Sequence, residues 1–108
     1  MNWNDKTFVM YEVREWGWAL QYASKGLRDD PEVVLSAVRQ DGDALRYASD
    51  RLRDDPQVIL TAVEQNEDAL RYASNRIQMA FAGMSVYEIR DNLKSFVATG
   101  NPIDLLKI

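Results

Sequence analysis

The chain has 108 residues, 46% hydrophobic and 28% charged, with a formal net charge of −4 and neither cysteine nor histidine. That is the length and composition of one ordinary soluble domain, and the missing residue types exclude disulfides, thiolate chemistry, and a histidine base or metal ligand. The acidic balance weighs against direct binding to a nucleic-acid backbone, and no run of about 18 apolar residues offers a membrane span.

The N-terminus, MNWNDKTFVMYEV, has no basic region followed by an apolar stretch. The expectation is therefore a cytoplasmic chain, or one acting in a host cytosol, without a Sec-type leader. Within this segment Phe8, Val9, Met10 and Val13 align with Val33, Val34, Leu35 and Val38 further on, a half copy of a longer repeated unit.

Ala19 to Asp43 reads ALQYASKGLRDDPEVVLSAVRQDGD, and Ala44 to Asp68 reads ALRYASDRLRDDPQVILTAVEQNED; 16 of these 25 positions are identical. A third copy opens with ALRYASNRI at Ala69 and departs from the pattern after Ile77. A fixed period of this size signals stacked supersecondary units. Each unit reads as two short helices. Asp30-Pro31 and Asp55-Pro56 start the first, since aspartate accepts from free backbone N–H groups and proline at the first turn gives up only an unpartnered one. PEVVLSAVRQ and PQVILTAVEQ then place Val34, Leu35 and Val38, and Ile59, Leu60 and Val63, on one side. Gly42 reads as a stop. Asp43 and Asp68 read as caps of the second helices, ALRYASDRL and ALRYASNRI, with Leu45, Ala48 and Leu52 at helical spacing. The alanines at 19, 23, 44, 48, 69 and 73 suit close helix contacts.

After Ile77, QMAFAGM carries no charge. Ser85-Val86-Tyr87-Glu88 then reads as a capping box. Val86, Ile89, Leu93, Phe96 and Val97 continue it as an amphipathic helix stopped by Gly100, with a short turn from Asn101-Pro102 to Ile108. A repeat stack leaves an open apolar end that needs a cap, so residues 78–108 read as that cap or, alternatively, as a dimerisation or partner surface. The domain organisation is one helical-repeat domain over 1–108: partial unit 5–18, full units 19–43 and 44–68, partial unit 69–77, cap 78–108. The fold class is all-α, with six or seven short helices closed by a longer C-terminal one.

The ALxYAS element followed by LRDDxxVVLxAVxQDG resembles the domain of unknown function 4116 over residues 5–77. The resemblance implies tandem helical units, bacterial or phage origin and an interaction role. It carries no catalytic residues to transfer.

The chemistry-bearing positions follow the repeat. The carboxylates Asp29, Asp30, Asp41, Asp43, Asp54, Asp55, Glu67 and Asp68 cluster at junctions, as caps or as an acidic stripe. Asp41-Gly42-Asp43 lacks the ligand order of a calcium loop, so no metal is expected. Tyr22, Tyr47 and Tyr72 form one ladder, Arg28 and Arg53 another, and Arg46 and Arg71 a second arginine row; the arginines are expected to tie the Asp29 and Asp54 loops to neighbouring units or, alternatively, to line an Arg/Tyr binding face. Trp16 and Trp18 occupy the positions of Asp41/Asn66 and Asp43/Asp68, either to cover the core's open end with Trp3 and Phe8 or as anchors. No nucleophile motif, P-loop or dinucleotide fingerprint occurs, so neither catalysis nor a cofactor is expected. The function expected is a protein-binding module, a small effector or inhibitor of one partner. The alternatives are an acidic decoy for a nucleic-acid-binding protein and a self-associating piece. Its partner-binding candidates are Trp16, Trp18, Arg46, Tyr47, Arg71, Tyr72, Phe81 and Met84, since aromatic residues and arginine anchor interfaces.

Overall fold

The computed structural model describes residues 2–99. Five α-helices are joined by 3-10 segments: α1 (Lys6–Glu15), η1 (Gly17–Tyr22), η2 (Leu27–Asp29), α2 (Pro31–Gln40), η3 (Gly42–Tyr47), η4 (Leu52–Asp54), α3 (Pro56–Gln65), η5 (Glu67–Tyr72), α4 (Asn75–Ala80) and α5 (Val86–Thr99). No strand occurs among the described residues, despite the β-branched valines of α2 and α3. The turn expected at Asn101-Pro102 and the apolar end at Leu105, Leu106 and Ile108 lie outside them.

Helix starts follow from local chemistry. Asp30 and Asp55 have the same extended backbone, and their side chains accept from the Glu32 and Gln57 N–H groups, just past Pro31 and Pro56. Asp5 does the same for Thr7 N–H at α1, which makes α1 the equivalent of α2 and α3. The buried face of α2 is Val33, Val34, Ala37 and Val38, and that of α3 is Val58, Ile59, Ala62 and Val63; Leu35 and Leu60 sit at the edge, partly buried. The capping box of α5 forms as the sequence implies: Glu88 N–H donates to Ser85 Oγ and Ser85 N–H donates to a Glu88 carboxylate oxygen. Along the stack α1 packs on α2, α2 on α3, and α3 on α5, while η1 meets η3 and η3 meets η5. The α-helices thus form one layer and the long 3-10 segments the other. Leu20, Leu45, Leu52, Ile77 and Leu93 are fully buried, and the six repeat alanines are buried with them.

Three expectations need correction. The second element of each unit is not one helix. It is a six-residue 3-10 segment ending at Tyr47, an extended residue Ala48, and a second short segment at Leu52. The break has a cause: Ser49 N–H is drawn to Arg28 C=O in the preceding unit (2.9 Å), as Ser74 N–H is to Arg53 C=O (2.8 Å), so the chain leaves the helix to bond across the stack. Asp43 and Asp68 do not cap these segments; Asp41 and Asn66 do, accepting from the N–H groups of residues 43 and 68. Gly42 is no left-handed stop either. Positive φ occurs at Gly83 alone among the described residues, in the turn before α5. Gly42 is required by proximity, since a Cβ there would lie 2.6 Å from the Ala62 carbonyl oxygen; at Gly17 it would lie 2.5 Å from that of Ala37.

These contacts set expectations for stability. Leu45→Ala removes a fully buried side chain and is expected to cost about 2–5 kcal/mol, against about 1 kcal/mol for loss of the Asp55 cap in Asp55→Ala. Gly42→Ala forces carbonyl and methyl together and is expected to cost about 1–3 kcal/mol, as overpacking does. Urea titrations rank the three; Leu45→Ala no worse than Asp55→Ala contradicts the assigned core face.

Candidate functional site

The 3-10 layer carries an exposed ridge. Two of the segments are fixed from behind by the next α-helix: Gly17 N–H donates to Gln40 Oε1 (2.6 Å) and Gly42 N–H to Gln65 Oε1 (2.5 Å), pinning η1 to the end of α2 and η3 to the end of α3. Ala19, Leu20, Ala44, Leu45 and Ala69 point into the core. Tyr22, Tyr47 and Tyr72 occupy one register, exposed on η1 and half-buried on η3 and η5; Arg46 and Arg71 are exposed beside the last two, and Trp18 is exposed on η1 at the position of Asp43 and Asp68.

At one end the aromatics touch in sequence. Phe8 meets Trp3 edge-on (5.0 Å between centroids), Trp3 meets Tyr22 (5.4 Å), Tyr22 meets Trp18 edge-on (6.3 Å), and Trp18 meets Trp16 (6.1 Å). Trp3 and Phe8 are partly buried against the core, whereas Trp16, Trp18 and Tyr22 remain 53%, 45% and 53% exposed. Closure of the core end therefore falls to Trp3 and Phe8 with α1, not to Trp16 or Trp18. Trp16 makes no side-chain cap of η1, unlike Asp41 and Asn66 in the later units.

Further along, cations bridge the rings. The Arg46 guanidinium lies 5.2 Å from the Tyr47 centroid and 5.6 Å from that of Tyr72 in the next unit, and Arg71 lies 5.0 Å from Tyr72. Each such contact contributes about 0.5–1 kcal/mol at an exposed site. They also hold long side chains in one arrangement before any partner arrives, which lowers the ordering cost of binding.

Two of the candidates stand apart from this ridge. Phe81, expected as an anchor, is only 2% exposed and belongs to the core, which takes it out of reach of a partner. Met84 is partly buried against the same core. Within the uncharged run after Ile77, Phe81 and in part Met84 pack while Met79 is exposed: α4, capped by the Ser74 side chain, turns its Ile77 inward and delivers Phe81 to the same core as α5.

The carboxylates are mostly occupied. Asp29 accepts from Ser49 Oγ (2.6 Å) and Arg51 Nε (3.0 Å), and Asp54 accepts from Ser74 Oγ (2.6 Å) and Arg76 Nε (2.9 Å), clasping one unit to the next. Arg51 and Arg76 do the tying that Arg28 and Arg53 were expected to do, and the serines join them. Ser49 and Arg51 also hold the Asp29 carboxyl below the usual carboxylate range. Partial burial opposes ionisation of Asp54, but hydrogen bonds from Arg76 and Ser74 outweigh it and its pKa is lowered. Asp30 is likewise lowered, burial being outweighed by Lys6 and the Glu32 N–H. Among the described residues no group of three or more carboxylates is set to hold a metal.

The fold and ridge define an all-α helical-repeat protein whose units bond to each other by a recurring clasp. Residues 30–78 match the family model described as a domain of unknown function, DUF4116, the family that the repeat resembles. No curated protein and no solved structure matches the chain. No helix of the described residues is long and apolar enough to cross a membrane.

The clasps give a signed pH dependence. A carboxylate with a lowered folded pKa stabilises the fold fully above its unfolded value, about 3.9, and that contribution is lost as pH falls through the folded value. Chemical denaturation from pH 6 down to pH 2.5 is expected to show stability level at first and then falling below about pH 4. The Asp29→Asn/Asp54→Asn double variant is expected to be less stable at neutral pH and to fall less steeply in acid. An acid slope identical to the parent's contradicts the clasp as the acid-labile element.

Proposed function

We propose that this chain is a protein-binding module that presents the 3-10 ridge to one partner, and that its role is binding rather than catalysis. The observation that carries the reading is the run of exposed Trp16, Trp18, Tyr22, Arg46 and Arg71 with half-buried Tyr47 and Tyr72 between them on adjacent segments. Large aromatic side chains and arginine give the most contact area per rotamer frozen, and they dominate measured interface energies. Two tryptophans and a tyrosine about half exposed near one end of a 108-residue chain are a cost to solubility that folding does not explain, because Trp3 and Phe8 already close the core there. A small module with such a surface fits the effector or inhibitor type, binding one protein and changing what that protein does. A partner surface that is apolar at its centre and acidic toward one side suits the Trp end and the Arg46/Arg71 end together.

The test is quantitative. A partner captured from the native cell and then purified is expected to lose about 2 kcal/mol or more of affinity on Trp18→Ala, on the order of a hot-spot loss. The melting temperature of the variant should stay close to the parent's, because surface substitutions shift stability by about 0.5 kcal/mol or less. Affinity that is indifferent to Trp18→Ala and to Arg71→Ala sinks the reading. Salt separates it from the decoy alternative: an acidic decoy in a nucleic-acid groove loses affinity steeply as salt rises, whereas an aromatic-anchored interface does not. Light scattering on the isolated chain addresses self-association through α5.

A further inference from the structure

Beside the ridge lies a hollow of about 350 Å³ lined by Lys25, Arg28, Arg46, Tyr47, Ala48, Ser49, Asp50 and Arg53. Four cationic side chains and one carboxylate meet there, in a chain whose net charge is −4. The carboxylate is spent, since Asp50 pairs with Arg53. Among the described residues no ion pair engages Lys25, Arg28 or Arg46. Arg28 is partly buried and its Nε–H is buried without a hydrogen-bond partner, an unusual state for a charged donor.

The repeat contains an internal comparison. One period on, the same hollow recurs, lined by Asp50, Arg53, Ala73, Ser74 and Asn75. There the residue equivalent to Lys25 is Asp50, and it neutralises Arg53, the equivalent of Arg28. The Arg53 Nε–H is buried and unpartnered as well, but the guanidinium as a whole has its counter-ion, which Arg28 lacks. Folding the unit therefore accommodates an arginine at this place without a lysine three residues before it. The second copy closes the arginine with a carboxylate of its own. The first copy puts a like charge beside it instead, which costs stability unless an anion is present.

We propose that the hollow of the first full unit is a binding site for a phosphate dianion, either free phosphate or a phosphate monoester. Arg28 and Arg46 offer planar guanidinium forks and Lys25 a point charge, the donor set that recognises phosphoryl oxygens. Three unpaired cations match a dianion better than a single carboxylate, and Tyr47 walls one side. The site shares Arg46 and Tyr47 with the ridge but does not depend on the ridge binding a protein.

The decisive variant is Lys25→Asp, which writes the second copy's charge pattern into the first. The fold tolerates it, because Asp50 already sits in the equivalent environment beside Arg53. Inorganic phosphate is titrated into the full chain at about pH 7.5, above the second phosphate pKa of about 6, with ionic strength held by chloride, and backbone amide shifts are followed by NMR. Saturable shifts are expected at Lys25, Arg28 and Ser49, with none at Ala73, Ser74 and Asn75 in the second copy's hollow. Lys25→Asp is expected to weaken phosphate at least about tenfold, and Arg46→Gln to weaken it by a similar factor without touching the Lys25 segment. A parallel titration with phosphoserine separates the sources: tighter binding than inorganic phosphate assigns the site to a monoester, weaker binding to free phosphate. Shifts that grow linearly with phosphate, or that are the same in Lys25→Asp, overturn the proposal.

Discussion

Everything in this chain depends on how closely one unit approaches the next. Gly17 and Gly42 have no Cβ, so the carbonyls of Ala37 and Ala62 come within the space a methyl would fill, and each glycine N–H reaches the glutamine that ends the neighbouring α-helix. At that separation Ser49 and Ser74 reach back to the Arg28 and Arg53 carbonyls, and Asp29 and Asp54 close their clasps. The exposed ion pairs within the clasps contribute little singly. Their value is in register, because hydrogen bonds to both backbone and side chain fix one unit's angle on the next. The close of the second full unit shows the rule by departing from it: Glu67 stands where Gly17 and Gly42 stood, and there the chain is exposed, since α5 rather than another repeat packs on α3.

That spacing also makes the ridge. Pulling Ser49 across the stack ends η3 at Tyr47 and leaves Arg46 and Tyr47 at an outward corner, close enough to Tyr72 for Arg46 to bridge two units. The aromatic and arginine side chains are ordered by the same approach that builds the core. The ridge and the folding register are thus one construction, and a substitution at Gly42 would disturb Arg46 and Tyr72 without touching either.

How much of this was legible in the sequence depended on whether the cause was local. Asp30-Pro31, Asp55-Pro56 and the Ser85–Glu88 box were legible because capping involves residues two or three apart. The all-α class was legible because the period and the caps agreed. The 3-10 character of the second elements was not, since it follows from bonds between Ser49 and Arg28 across units, which no helical period encodes. The same distance effect hid the role of Gly42, moved the cap from Asp43 to Asp41, and gave the tie to Arg51 and Arg76 instead of Arg28 and Arg53. Within the site, Trp16, Trp18 and the Arg46/Arg71 and Tyr47/Tyr72 ladders were legible as breaks or rows in the repeat, and the structure exposes or half-exposes them all. Phe81 carried the same signal and is core, because a lone aromatic after a repeat ends is equally the plug that the last unit needs.

A repeat protein separates the demands of folding from other demands within a single chain. Where the two full copies agree, as at the DDP starts, the repeat alanines and the clasp residues Asp29/Asp54 and Ser49/Ser74, the structure gives each identity a packing or bonding reason. Where they differ without consequence for the fold, folding is not the reason for the choice. Trp18 against Asp43 and Asp68 is one such difference, and Lys25 against Asp50 is another: the later residue forms a local bond or remains polar, while the earlier one leaves a half-exposed aromatic surface or a positive charge without an ion pair. Both fall at or within the first full unit, on the side of the stack formed by the 3-10 segments. The last unit instead gives up its repeat positions to the core, through Ile77 and Phe81. The two ends of the stack differ for different physical reasons: one closes its core with Ile77 and Phe81, and the other leaves Trp16, Trp18 and Tyr22 about half exposed.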